Sequence, residues 1–247
     1  MWRLVLFVVA TSVVGLTGAC ATTVGGTPKA EKAASSSAAA PGPSSAAPPA
    51  AAPAARTVGA QDLEALLLPA DDVRTVMDGP DIDVQETYDQ MPPSTVGYDP
   101  PECARAAYNV VEAGYRDSGF IAARGAVMQE PDDAQLLHVV DQGIVTFPTA
   151  DAATDYVTKT VQTWRGCAGK PFTASRPEAA EHWTFGDVTE NGGISAIPKT
   201  VDGDTGWSCS HAIAAKSNAV IDVSACGFSI NDQAKAIVGR IRDKFPA

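Results

Sequence analysis

The sequence has few basic residues, few aromatic residues and few histidines. Its 247 residues include 18 Lys and Arg against 29 Asp and Glu, and aromatic side chains make up 6% of the chain. Residues 1–57 hold four of the basic residues and one acidic residue, so residues 58–247 carry 14 basic and 28 acidic residues, a net charge of −14. A surface with this charge repels nucleic acid and anionic lipid headgroups, and we expect no nucleic-acid partner.

Motifs for catalysis and metal binding are also missing. The sequence contains no G-x-S-x-G, P-loop, H-E-x-x-H or C-x-x-C motif, and its histidines, His138, His182 and His211, are scattered. The acidic turns at residues 117–119 and 202–204 lack the twelve-residue loop that binds calcium. We therefore predict no enzyme activity, no metal site and no cofactor.

Long apolar runs are confined to the N-terminus. Arg3 precedes an apolar run from Leu4 to Leu16, which is shorter than the roughly 20 residues needed to span a bilayer. The run has the length of a signal-peptide core, and residues 1–19 are therefore predicted to be a signal peptide.

Cys20 stands directly after the small residues Gly18 and Ala19, as in a bacterial lipobox. Leu16 lies one position further from the cysteine than the usual lipobox leucine. We predict that Cys20 is lipidated, with palmitate among its acyl chains, and holds the protein on the extracytoplasmic face of the cell membrane. The alternative is an ordinary secretory signal with a chance cysteine.

Residues 20–57 follow as a lipidated N-terminus and a linker composed almost entirely of Ala, Pro, Ser, Gly and Thr. The linker has no apolar face to bury, so it cannot offset the entropy lost on ordering. The remaining residues, 58–247, have the length of one domain.

Four cysteines remain in this domain, and an even count in an exported chain indicates disulfides. The run after Asn218 is rich in β-branched residues and predicts a strand, and the preceding segment is compatible with one. If Ser217 and Asn218 form a two-residue hairpin loop, Cys209 lies directly opposite Cys226, close to bridging distance. We therefore predict a Cys209–Cys226 disulfide, with Asn218 tolerating the positive φ that such a loop requires.

Cys103 and Cys167 then pair by exclusion. Residues 99–114 predict a helix that begins at Asp99 and turns Cys103 inward. A second helix begins at Thr149 and ends at Gly166, just before Cys167. The competing interpretation is a metal site formed by cysteines and histidines, and the sequence lacks the ligand spacing for one.

The order of the other elements predicts the fold class. Residues 62–79 predict two short helical segments separated by Pro69, and residues 80–101 a long loop. Two strands follow within residues 120–130 and 135–148, Asn191-Gly192 predicts a hairpin, and residues 231–245 predict an amphipathic helix. Because hairpins dominate, we predict an α+β fold with a mainly antiparallel sheet flanked by helices.

Several stretches resemble a known family when taken together in their order and spacing. They are PPECARAAY, VTFPTADAATDYV, WRGCAG, HWTFGDV and CSHAIAAKSNAVIDVSACG. They resemble the PknH-like extracellular sensor domain of mycobacterial kinases, which also occurs in stand-alone lipoproteins. The resemblance implies two disulfides, a helix-flanked antiparallel sheet and a cleft for an unidentified ligand. The sequence contains no kinase domain, so we expect no phosphorylation by this chain, and "sensor" is an analogy.

The predicted function is that of a lipoprotein of the mycobacterial cell envelope, whose domain binds a small molecule or an envelope component. The alternative is a module that docks to an envelope protein or a kinase ectodomain, and a third class is lipid carriage, which needs a large apolar cavity. Candidate ligand-binding residues are Arg124, Trp183 and Trp207. Trp164 is excluded because it belongs to the apolar stripe of the second helix.

Overall fold

The computed structural model describes residues 56–131, 134–177, 179–203 and 206–246. The predicted signal peptide, Cys20 and the linker up to residue 55 lie outside the described residues. Within the described ranges, no helix is both long enough and apolar enough to cross a membrane.

The described residues form six helices and ten strands. The helices are α1 (Leu63–Leu66), α2 (Ala70–Met77), α3 (Ala104–Ala107), α4 (Glu112–Tyr115), α5 (Ala150–Cys167) and α6 (Gln233–Asp243). The strands are β1 (Asp83–Tyr88), β2 (Gly97–Asp99), β3 (Ala122–Gln129), β4 (His138–Thr146), β5 (Pro171–Ser175), β6 (Ala180–Phe185), β7 (Thr189–Asn191), β8 (Ile194–Val201), β9 (Ser208–Lys216) and β10 (Ala219–Gly227). Short 3-10 turns precede α1 and α3.

All the strands belong to one sheet. Their order is β1-β3-β4-β10-β9-β8-β6-β5-β2, and β7 pairs with β8 beside this path. Every pairing between the described strands is antiparallel. The predicted α+β class with a mainly antiparallel sheet and flanking helices is confirmed.

Helices cover both faces of the sheet and enclose two cores. The α6 face carries α1, α2 and α6 and buries Leu63, Val73 and Ile237. The α5 face carries α3 and α5 and buries Phe147 and Trp164. Because successive side chains of a strand point to opposite faces, neighbouring residues of a central strand enter different cores.

Both disulfides have the pairing predicted from the sequence. Cys209 and Cys226 lie directly opposite each other on β9 and β10, and Lys216 pairs with Ala219 at the turn, so the register of the hairpin is as predicted. Cys103 and Cys167 join the turn before α3 to the last residue of α5.

The roles of Ser217 and Asn218 in the turn differ from the prediction. Ser217 has a φ of 53°, the positive value assigned above to Asn218. The amide of Asn218 is buried, accepts a hydrogen bond from the Val58 N–H and donates to the carbonyls of Val58 and Phe147. Asn218 therefore fixes the start of the domain to the hairpin turn.

The single helix predicted over residues 99–114 is wrong. Asp99 ends β2, α3 ends at Ala107, and α4 begins only at Glu112. Val110 between them has a φ of 31°, and its N–H donates to the buried carboxylate of Asp222. This long-range hydrogen bond replaces the helical one, because local propensity is a weak preference that tertiary contacts override.

Two further predictions need correction. Residues 80–101, predicted as a loop, contain β1 and β2, which pair at the two edges of the sheet. Almost every residue of β1 is exposed, so the strand lacks the apolar alternation that reveals strands in a sequence. The hairpin predicted at Asn191-Gly192 turns one residue later, because Asn191 pairs with Ile194.

Candidate functional site

Polar side chains line up on the α5 face of the central strands. Asp141 on β4 pairs with Ser224 on β10, and Ser224 pairs with His211 on β9. Two residues further along, Gly143 on β4 pairs with Asp222 on β10. Residues two apart on a strand share a face, so these groups all point towards α3 and α5.

A pair of glycines makes room for a tyrosine in this layer. Gly125 and Gly143 lie opposite each other on β3 and β4. A Cβ atom on Gly125 would lie 2.2 Å from the Tyr88 hydroxyl, and one on Gly143 would lie 2.7 Å from it. The Tyr88 ring therefore rests on bare backbone, and its hydroxyl donates a 2.9 Å hydrogen bond to Asp141.

Asp222 is the centre of a buried polar cluster. Its carboxylate accepts hydrogen bonds from the Tyr115 hydroxyl at 2.8 Å and the Val110 N–H at 3.1 Å. The His211 Nε2 lies 2.6 Å from the same carboxylate. The His211 Nδ1 lies 3.1 Å from the carbonyl of Ala106.

Asn109 joins this buried cluster to the cleft described next. It is 5% exposed, and its side-chain amide donates to the main-chain carbonyls of Asp141 and Asp222. The irregular stretch between α3 and α4 is held by these bonds. The same stretch presents Tyr108 to the cleft.

An open cleft lies beside this polar layer and has two connected lobes, with volumes of about 370 and about 520 Å³. The two lobes share Tyr108, Asn109, Val127, Asp141 and Arg176, so they form one continuous cleft. Pockets that bind small organic ligands have volumes of about 300–1,000 Å³. The smaller lobe has a mostly apolar lining that includes the Cys209–Cys226 disulfide.

Lys199 is buried in the wall of the smaller lobe. Its ammonium donates a hydrogen bond to the Ala107 carbonyl and lies 4.2 Å from the centre of the Tyr108 ring and 4.8 Å from that of Trp183. The pKa of Lys199 is lowered to about 7, mainly because burial disfavours the charged form; Glu181 opposes this shift and Arg176 contributes to it. The aromatic rings act in the opposite direction, because they attract the charged form.

Asp141 forms part of the floor shared by both lobes. The surrounding protein removes water from its carboxyl and raises its pKa to about 7, although the hydrogen bond from Tyr88 favours the charged form. Two carboxyls, Asp141 and Glu181, and two cations, Arg176 and Lys199, thus line one cleft. None of the ion pairs between described residues involves any of the four.

Comparison with known proteins assigns the family. The family model of the PknH-like extracellular domain matches residues 58–244. The chain belongs to this family. PknH of Mycobacterium tuberculosis (strain ATCC 25618 / H37Rv) is 35% identical over 187 residues, which cover 76% of this chain and 30% of that kinase. PknJ of Mycobacterium tuberculosis is 26% identical over 188 residues, covering 72% of this chain and 31% of PknJ.

A solved structure shows the same fold. The crystal structure of the extracellular domain of PknH from Mycobacterium tuberculosis matches with a TM-score of 0.74 at 34% identity. The match covers 77% of this chain and 97% of that one. This chain spans about 30% of the length of the curated kinases that it matches, in the region that corresponds to their extracellular domain.

Two of the three ligand-binding residues predicted for this PknH-like domain line the cleft. Trp183 is 6% exposed and lies beside Lys199, and Trp207 precedes β9 at the edge of the smaller lobe. Arg124 needs correction, because it points to the α6 face, where its guanidinium forms a 2.6 Å ion pair with Glu64 of α1. It lies three residues before Val127 of the cleft, and an odd spacing on a strand places side chains on opposite faces.

Sequence reasoning missed the titratable groups of the PknH-like domain. Asp141, Lys199, His211 and Asp222 all occupy inward positions of strands, and a polar residue at an inward position is the signal that could have found them. His211, one of the scattered histidines, is 2% exposed and bonded to Asp222. Trp164, excluded from the site, is fully buried in the α5-face core.

Proposed function

We propose that this PknH-like domain binds a small organic ligand in the cleft between Tyr108, Asp141 and Lys199. The observation that carries the proposal is a cleft lined by two carboxyls and two cations, none of which forms an ion pair with another described residue. A ligand with polar or charged groups can pair with these side chains, and its apolar parts can contact the mostly apolar lining of the smaller lobe. The two disulfides restrain the hairpin and α5 around the cleft, which lowers the cost of ordering on binding.

We further propose that the domain acts by binding, without catalysing a reaction. The buried His211–Asp222 pair is the nearest arrangement to a catalytic dyad among the described residues. Both residues are 2% exposed, and the remaining ring nitrogen of His211 faces a main-chain carbonyl. The pair therefore supports the backbone of the stretch before α4, in keeping with a role in stability.

We also propose that a lipid on Cys20 anchors the domain to the extracytoplasmic side of the cell membrane. The net charge of −14 for residues 58–247 disfavours direct contact with anionic headgroups, so attachment would depend on the acyl chains. Envelope components in reach of the linker are then the available ligands.

Thermal-shift screening of fractionated mycobacterial envelope extract tests ligand binding. A ligand at a hundred times its Kd stabilises the fold by about 2.7 kcal/mol, which raises the Tm of a domain of this size by about 5–10 °C. Val127→Trp, which fills the floor shared by both lobes, should abolish the shift. Val84→Trp on the exposed strand β1 is the matched control and should retain it.

The docking module is the competing outcome of the same experiment. If no fraction raises the Tm, and the wild-type domain instead recovers one envelope protein at a stoichiometric amount, the cleft proposal is wrong. Turnover of any component of the extract, lost in Val127→Trp, would contradict the binding-only role.

A further inference from the structure

An exposed apolar rim adjoins the cleft. Five large hydrophobic side chains are exposed in the part of the chain that the structure describes, and three of them, Leu136, Leu137 and Phe228, lie here. The Trp207 ring packs edge-on against Phe228 with 5.2 Å between ring centres. We call Leu136, Leu137, Trp207 and Phe228 the rim.

The strand register explains why these residues meet. Leu137 precedes the first residue of β4, Phe228 follows the last residue of β10, and Trp207 precedes the first residue of β9. The three terminal strand residues, His138, Gly227 and Ser208, pair across the sheet. The rim therefore lies at one end of three adjacent strands, and its members Leu136 and Trp207 also line the smaller lobe.

Charged groups and exposed apolar side chains meet at this site. The smaller lobe is lined by Arg176, Lys199, Asp141 and Glu181, of which Lys199 is buried, and Leu136, Leu137 and Phe228 are exposed beside it. Contiguous exposed apolar surface on a soluble domain marks a binding site for an apolar group. The lobes have the volume of a drug-sized ligand, so an apolar chain attached to a head inside the cleft would extend over the rim.

We infer that the ligand is a single-chain amphiphile, whose zwitterionic head binds among the charged side chains of the cleft and whose apolar chain lies on the rim. This inference rests on the proposed function, because it assumes that the cleft binds a ligand. The anionic group of the head faces Arg176 and Lys199, and its cationic group faces Glu181 and Asp141.

A chain-length series tests the inference. The probes are phosphocholine and hexyl-, octyl- and decylphosphocholine, each kept below its micelle-forming concentration and titrated by calorimetry into the domain. Affinity should rise with each added methylene, by up to about fourfold for a methylene that becomes fully buried. It should level off when the chain outgrows the rim.

Matched variants separate the two halves of the site. Leu136→Ser with Phe228→Ser should remove most of the chain-length dependence without weakening the binding of phosphocholine itself. Ile121→Ser with Val84→Ser, two exposed hydrophobic residues outside the rim and the cleft lining, should leave the whole series unchanged. Arg176→Gln or Glu181→Gln should weaken every member of the series by a similar factor.

Three results would overturn the inference. One is affinity that does not depend on chain length, another is equal behaviour of the rim and control variants, and the third is the absence of binding by any member. The proposed function is judged independently by the extract screen. If that screen finds a ligand that has no alkyl chain and does not bind the Val127→Trp variant, the cleft proposal is supported and the amphiphile inference is wrong.

Discussion

Two residues of the cleft, Asp141 and Lys199, have shifted pKa values. Burial raises the pKa of Asp141 and lowers the pKa of Lys199, so both lie near 7. Below pH 7 Lys199 is charged and Asp141 is neutral, and above pH 7 the reverse holds. The combined charge of Asp141 and Lys199 therefore changes from positive to negative as the pH rises through neutrality. The pH therefore decides which charge the ligand must supply.

Asp141→Asn should remove a pH dependence of stability. The folded domain holds a proton on Asp141 more tightly than the unfolded chain does, because its pKa rises from 3.8 to about 7. The free energy of unfolding of the wild type therefore falls as the pH rises from about 4 to about 7. The asparagine variant lacks this slope and should be more stable than the wild type at pH 7.5, by roughly 2–4 kcal/mol.

Urea unfolding between pH 4.5 and 7.5 measures this effect. Lys199 adds a slope of opposite sign only above pH 7, because its pKa is lowered from 10.5 to about 7. Tyr88, His211 and Asp222 also face Asp141 and are common to both proteins. Parallel stability profiles of variant and wild type would show that the Asp141 carboxyl is not shielded from water.

Asp222→Ala should be among the most destabilising single substitutions in the domain. It leaves the Val110 N–H, the Tyr115 hydroxyl and the buried His211 ring without their acceptor. Removing one partner of such a buried pair costs about 3–5 kcal/mol. Arg124→Gln, which breaks the pair with the exposed Glu64, should cost about 1 kcal/mol or less. Similar urea midpoints for the two variants would contradict the buried cluster.

At the scale of the elements, sequence reasoning succeeds where one local rule decides the structure. The helix that begins at Thr149 is capped by the threonine side chain, and α6, the amphipathic helix predicted within residues 231–245, buries Ala234, Ile237, Val238 and Ile241. The β9–β10 hairpin has the predicted register because a two-residue turn fixes every pairing that follows it.

Local rules do not predict the site, because segments that are far apart in the sequence form it. The break between α3 and α4 depends on Asp222, more than a hundred residues along the chain from Val110. The position of Tyr88 depends on two glycines of other strands. Local agreement between sequence and structure is lost first at functional or strained positions. The stretch 108–111, predicted as helix, is such a position, and it borders the cleft.

Removing the two disulfides separately should distinguish stability from binding. Replacing Cys103 and Cys167 by alanine opens a loop of 64 residues, and replacing Cys209 and Cys226 opens one of 17 residues. Loop entropy predicts losses of about 4 and about 3 kcal/mol in the free energy of unfolding. Of the two pairs, Cys209–Cys226 lines the cleft, so its removal should also weaken ligand binding.

Non-reducing peptide mapping of the wild type and thermal unfolding of both double variants measure these outcomes. A linked peptide joining Cys103 to Cys226 would contradict the pairing. Equal ligand affinity in both double variants would show that the hairpin disulfide does not support the cleft.

For the whole molecule, attachment to the membrane is predicted to depend on one atom, the sulfur of Cys20. Cys20→Ala should move the protein from the membrane fraction to the soluble fraction, because two or more acyl chains are needed for stable anchoring and the domain surface is acidic. Mass spectrometry of the mature wild-type N-terminus should find the acyl groups. A Cys20→Ala protein that remains in the membrane fraction would contradict the anchor.

The chain enters the domain at the end of the sheet opposite to the rim. Asn218 holds Val58 at the closed end of the β9–β10 hairpin, whereas Trp207 and Phe228 flank its open end. The nine residues of β10 separate the two ends by about 30 Å. A pulling force between the linker and a ligand held at the rim would therefore act along the strands. The hydrogen bonds between β9 and β10 run perpendicular to the strands and would share that force as a shear load instead of breaking one after another.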